Sequence, residues 1–80
     1  MGEGLNRKRR EILKTANVHL AEAKRLVERA QEQEADALDS IPENMTDTDR
    51  YEKMENAADL LEDAASDIEE AMEKIQEAAQ

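Results

Sequence analysis

No cysteine occurs in the 80 residues, so disulfide frameworks, thiolate metal sites and thiol nucleophiles are excluded together. Tyr51 is the single aromatic residue, which removes the stacking platforms that single-stranded nucleic-acid binders use. Two glycines, Gly2 and Gly4, cannot build a glycine-rich phosphate loop, and the one proline, Pro42, leaves long uninterrupted stretches free to be helical. No apolar run approaches the ~18 residues needed to cross a bilayer. The basic start Arg7, Lys8, Arg9, Arg10 leads into charged sequence and not into the apolar core of a signal peptide, so a soluble, unprocessed, cytoplasmic chain without a membrane partner is expected. Positive charge is scarce beyond residue 31. Residues 1–31 carry eight Lys or Arg against four acids, residues 32–49 seven acids and no base, and residues 50–80 three bases against ten acids. The formal charge of −10 opposes direct nucleic-acid binding and favours basic partners or simple solubility.

What is abundant is helix former. With 40% charged residues and apolar positions filled by Ala, Leu, Ile and Met, the composition is that of coiled coils and helical hairpins. High net charge with low hydrophobicity also describes disordered chains, but sustained periodicity opposes that reading. Tyr51, Met54, Ala58, Leu61, Ala65, Ile68, Met72, Ile75 and Ala79 follow at alternating steps of three and four, a heptad seam whose narrow stripe must be covered by another helix. Upstream, Ile12, Leu13, Ala16, Leu20, Ala23, Leu26, Val27 and Ala30 recur at helical spacing as one broad apolar face.

Pro42 ends the first helix, and the Ser, Asn, Thr and Asp residues from Ser40 to Asp49 read as a connection. Ile41 and Met45 are apolar within it and are expected to tuck against both helix ends. Asn6 is a cap for the first helix; for the second, a Thr46–Asp49 capping box competes with Asp47 or Thr48 as the cap. Met1 to Leu5 is a poor helix start and is expected to fray. The fold class is therefore all-α: one domain, an antiparallel two-helix hairpin with helices at about 6–39 and 48–78 joined by a connection at about 40–47. A second column, Ala57, Ala64, Ala71 and Ala78, together with Leu60, widens the seam beyond one partner and predicts a homodimer, two hairpins forming a four-helix bundle. Alanine is also the best helix former and fills positions that packing does not decide. Antiparallel pairing would set Arg7 to Arg10 near Glu69, Glu70, Glu73 and Glu77.

Catalytic chemistry finds no parts. Asp47, Asp49 and Glu52 resemble spaced calcium-loop acids but lack the glycine and the later glutamate, so capping is the stronger reading. His19 has Glu22 and Glu11 nearby without the Glu-x-x-His order of a two-metal bundle, and reads as a boundary residue. With two serines and one histidine, no nucleophile and base are fixed, and the chain reads as non-enzymatic without catalytic, cofactor or metal residues. Tyr51 opens the seam, which favours packing over a binding hot spot. What remains is the acidic side of the second helix: Glu55, Asp59, Glu62, Asp63, Asp67, Glu69, Glu70 and Glu73 are the candidate partner-binding residues. A rod of negative charge can occupy a nucleic-acid groove on a basic protein, or can be merely a solvated face. The competing reading is a structural module that acts by helix–helix self-association through the seam.

The segments Asn6-Arg7-Lys8-Arg9-Arg10, Ser40-Ile41-Pro42-Glu43-Asn44 and Asp49-Arg50-Tyr51-Glu52-Lys53-Met54-Glu55, followed by Ala58-Asp59 and Leu61-Glu62-Asp63-Ala64, resemble those of small uncharacterised proteins of bacterial phages, prophages and integrative elements. In these an "NKRRR" opening and an "IPEN" or "LPEN" turn lead into "ERYEKxEEAxDNLEDA". Asp49 replaces their usual Glu, and Ala58 to Leu60 are less polar. The resemblance implies a context, the cytoplasm of a bacterial host, and a class of partner: host or competing defence machinery, including nucleases. It fits an inhibitor of the anti-CRISPR or anti-defence kind.

Overall fold

In the computed structural model, residues 6–80 are described; the expectation for Met1 to Leu5 lies outside them. The chain is an all-α helical hairpin. Helix α1 spans Arg7–Asp39 and helix α2 Asp49–Ala78, with a 3₁₀ turn at Glu43–Met45 between them and no strand among the described residues. The Asn6 side chain caps α1 by accepting from the Arg9 backbone N–H at 2.9 Å. At the other end, Ser40 Oγ donates back to the Asp36 carbonyl at 3.0 Å and Pro42 prevents continuation. Thr48 is the cap of α2, accepting from the Tyr51 N–H at 3.2 Å, whereas Thr46 Oγ1 is engaged with the Glu43 carbonyl at 3.0 Å. The capping box through Thr46 is thus replaced by a Thr48 cap, because the 3₁₀ turn occupies Thr46.

The helices run antiparallel, as three cross-links fix. Asn17 Nδ2 donates to the Met72 carbonyl at 3.1 Å, Lys24 Nζ meets Glu69 Oε1 at 3.2 Å, and Gln31 Nε2 reaches Glu62 Oε2 at 3.5 Å. Every seam residue from Tyr51 to Ala79 is at least half-buried, and Ala65, 6% exposed at mid-helix, is the one fully buried residue among those described. The facing seam of α1 differs from the broad face read from its apolar residues. Its half-buried positions run Leu13, Asn17, Leu20, Lys24, Val27, Gln31, Glu34, Leu38 and Ile41, again at alternating steps of four and three. Ile12 and Leu26 are instead 60% and 49% exposed, and Ala30 is exposed as well. The cause is geometric: a two-helix seam admits two residues per heptad, and α1 fills alternate places with long polar side chains whose stems pack while their heads reach α2.

The connection is ordered by its own bonds. Met45 N–H donates to the Pro42 carbonyl at 2.9 Å and Thr48 Oγ1 to the Met45 carbonyl at 3.1 Å. Ile41 is half-buried against the helix ends, while Met45 stays 50% exposed. The result is a rod of 66 × 14 × 12 Å between Cα extremes.

Candidate functional site

Written in the seam's heptad frame, the hairpin has two unlike flanks. On α2, the positions following seam residues carry Glu55, Asp59, Glu62, Ser66, Glu69, Glu73 and Gln76. The positions preceding them carry Ala57, Leu60, Ala64, Asp67, Ala71, Lys74 and Ala78. Helix handedness and antiparallel packing bring the equivalent positions of α1 to the same sides. Lys14, Val18, Ala21, Arg25 and Glu28 therefore join the acidic column, and Ile12, Ala16, His19, Ala23, Leu26, Ala30 and Ala37 join the alanine column. One flank is charged and the other mostly apolar.

All eight acids singled out from the sequence are exposed, but they do not share one face. Glu55, Asp59, Glu62, Glu69 and Glu73 line the charged flank; Asp63 and Glu70 stand on the back of α2; Asp67 falls in the alanine column. Two of them have cationic partners: Glu69 takes Lys24, and Glu70 lies 3.8 Å from Lys74. Lys24 also reaches Glu28 at 3.0 Å, and the hydrogen bonds it donates to Glu28 and then Glu69 hold its ammonium above the usual lysine range. Arg25 Nη2 donates to Glu22 Oε2 at 2.6 Å; that hydrogen bond, reinforced by charge attraction, lowers the Glu22 carboxyl and raises the Arg25 guanidinium.

Among the described residues, Arg7, Lys8 and Arg9 do not pair with Glu69, Glu70, Glu73 or Glu77. In the register marked by the Asn17–Met72 and Lys24–Glu69 contacts, α2 runs out opposite the first turns of α1, and Arg7, Lys8 and Arg9 project past it. Arg7 instead lies 3.7 Å from Glu11 on its own helix. Of the acids expected to pair with the cluster, Glu69 takes Lys24 and Glu70 takes Lys74.

The concave features are shallow. At the loop end a cleft of about 500 Å³ is lined by Ile41, Pro42, Met45, Tyr51 and Met54, with Arg50 beside them. Tyr51, half-buried in this wall, serves packing. His19 is exposed on the alanine flank, and among the described residues no three His, Cys, Asp or Glu side chains converge as a metal site. Among those residues no helix is long and apolar enough to cross a membrane. Asn17 is the functional-looking residue that reading by hydrophobicity passes over: its Oδ1 is buried with no hydrogen-bond partner. Extending the heptad frame upstream through polar positions finds it, whereas counting apolar residues does not. No family model matches this chain, and no curated protein or solved structure matches it either.

Proposed function

We propose that the hairpin is a non-enzymatic binding protein whose charged flank engages a basic, nucleic-acid-handling protein and blocks it. The observation that carries this is spacing. Five acids, Glu55, Asp59, Glu62, Glu69 and Glu73, line the charged flank, with Asp63 and Glu70 on the adjoining back of the helix. The five span about 27 Å of helix, one per ~7 Å, which matches every second phosphate of a nucleic-acid strand at 3.4 Å per phosphate. Carboxylates held on one rigid helix present this charge without the ordering cost of a flexible acidic tail. The net charge of −10 adds long-range attraction toward a cationic groove. The likeness to phage-borne proteins supports a defence nuclease of the bacterial host as the target, and inhibition of the anti-CRISPR or anti-defence kind as the outcome.

Affinity capture from bacterial lysate with the intact chain, alongside a variant carrying Glu55→Gln, Asp59→Asn and Glu73→Gln, tests it. These three acids have no partner among the described residues, so helicity should be unchanged while a basic protein is lost from the captured set. The captured protein should also be released by competing DNA and by salt. Equal capture by both forms, or binding indifferent to salt, overturns the reading.

A second reading, a module that acts by helix–helix self-association, is favoured by the exposed Ile12, Leu26 and Leu60 on the other flank.

A further inference from the structure

We infer that the apolar flank is the interface for a second copy of this chain, packed face to face and antiparallel to the first. This gives the self-association reading a definite face and orientation; it uses the flank opposite the acidic column and is independent of the proposed partner.

The hairpin leaves too much surface in water for its size. It exposes 6365 Å², whereas a compact 9.1 kDa monomer exposes about 4,900 Å². The excess is more than the ~800 Å² that each partner contributes to a standard interface. Among the described residues one side chain is fully buried, and the rest of the seam and most flank alanines are only half-buried. Of the five exposed large hydrophobics among the described residues, Val18 stands on the charged flank and Met45 in the connection, while Ile12, Leu26 and Leu60 stand on the alanine flank at 60%, 49% and 59% exposure.

Between these anchors the floor is alanine, and its distribution rejects helix propensity as the reason. The chain has thirteen alanines. Eight occupy the two columns beside the seam on this flank, three lie in the seam, and two, Ala21 and Ala35, lie beside it on the charged side. None occupies the outward positions, where propensity alone would place them as readily. Small residues beside a seam, on both helices and the same side, admit the close approach of another pair of helices.

Charge selects the occupant and its direction. The basic overhang Arg7, Lys8 and Arg9 lies at one end of the rod, and the stretch Glu32 to Asp49, with seven acids and no base, lies at the other. A two-fold axis running across the hairpin lays α1 on the partner's α1 in the opposite sense, and each basic overhang then lies against the acidic loop end of the other copy. The parallel alternative stacks like charge on like charge at both ends. Isologous packing satisfies both ends with one kind of contact. An anionic lipid surface is disfavoured as occupant by the net charge of −10.

Sedimentation equilibrium of the intact chain over a range of concentrations should give twice the 9.1 kDa monomer mass. Leu26→Glu with Leu60→Glu should weaken the dimer on the order of a hundredfold. Val18→Glu, 67% exposed on the charged flank, should leave it unchanged. Lys8→Glu with Arg9→Glu should weaken it about tenfold, although acids at a helix start favour the helix itself. Orientation is read in an otherwise native chain: Ser40→Cys supplies its single thiol, and spin labels there should lie about 45 Å apart in the antiparallel dimer, against about 15 Å in a parallel one. A single 9.1 kDa species at every concentration, a short label distance, or a dimer that Val18→Glu disrupts and Leu26→Glu with Leu60→Glu does not, overturns the inference. The acid-neutralised variant used for capture should sediment as the native chain does, so either reading can fail without the other.

Discussion

Two residues of α1 show how a polar group is used inside an apolar seam. Asn17 spends its amide on the Met72 carbonyl and leaves Oδ1 buried and unpartnered. Its place there costs stability, since a buried amide oxygen is left without a partner. Asn17→Leu should therefore stabilise the hairpin by about 1 kcal/mol, read as a higher urea midpoint by circular dichroism. A lower midpoint would mean that the amide contributes more than its burial costs. Lys24 acts differently, bridging Glu28 on its own helix and Glu69 on the other. Since these bonds raise its folded pKa, its contribution is complete below the ordinary lysine value and is lost as pH rises through the folded value. Stability should accordingly fall at strongly alkaline pH, and Lys24→Gln should flatten that fall when urea midpoints are compared at neutral and alkaline pH. For Glu22 the sign is reversed: its pKa is lowered, so the contribution is present above the ordinary carboxylate value and lost as pH falls through the folded one.

At the scale of the element, the seam of α2 is apolar throughout, and Ala65, at 6% exposure, is enclosed between the two helices. Ala65→Leu should force them apart and cost about 1–3 kcal/mol by urea denaturation, whereas Asn56→Leu, at an outward position, should cost little. The hairpin and the α2 seam were legible in the sequence because the apolar residues there keep a strict period from Tyr51 to Ile75. The α1 seam was not, for two physical reasons. Its alternate places hold Asn17, Lys24 and Gln31, whose packed stems carry polar ends, and its apolar residues are divided between an inward column and the exposed flank of Ile12 and Leu26. A moment averaged over both columns points between them. The acidic residues were legible as a group, but their division among flank, back and alanine column needed the seam as a reference. The basic cluster was misplaced because formal charge says nothing of where one helix outruns another.

For the whole molecule, thinness is the governing property. A rod 66 Å long with Cα extents of 14 × 12 Å across has little interior, and on the inferred dimer its folding draws on the covered apolar flank. Thermal unfolding should then depend on protein concentration, with the midpoint rising several degrees over a hundredfold increase. A midpoint independent of concentration would show that the hairpin is self-sufficient. Thinness also bears on the proposed partner, since a globular body of the same charge would present fewer carboxylates per length to a groove.

The cross-links between the helices carry one more consequence. Lys24 and Gln31 are seven residues apart on α1, and Glu55, Glu62 and Glu69 are each seven apart on α2. If the helices slid by one repeat, Lys24 would find Glu62 and Gln31 would find Glu55, and a main-chain carbonyl would still face Asn17. These contacts recognise phase and are blind to number. The counting is done by the tether from Ser40 to Thr48, whose 3₁₀ turn and hydroxyl bonds allow one length. Cutting the chain there would leave every lateral contact available and remove the ruler, and the two helices would become a vernier with several stops.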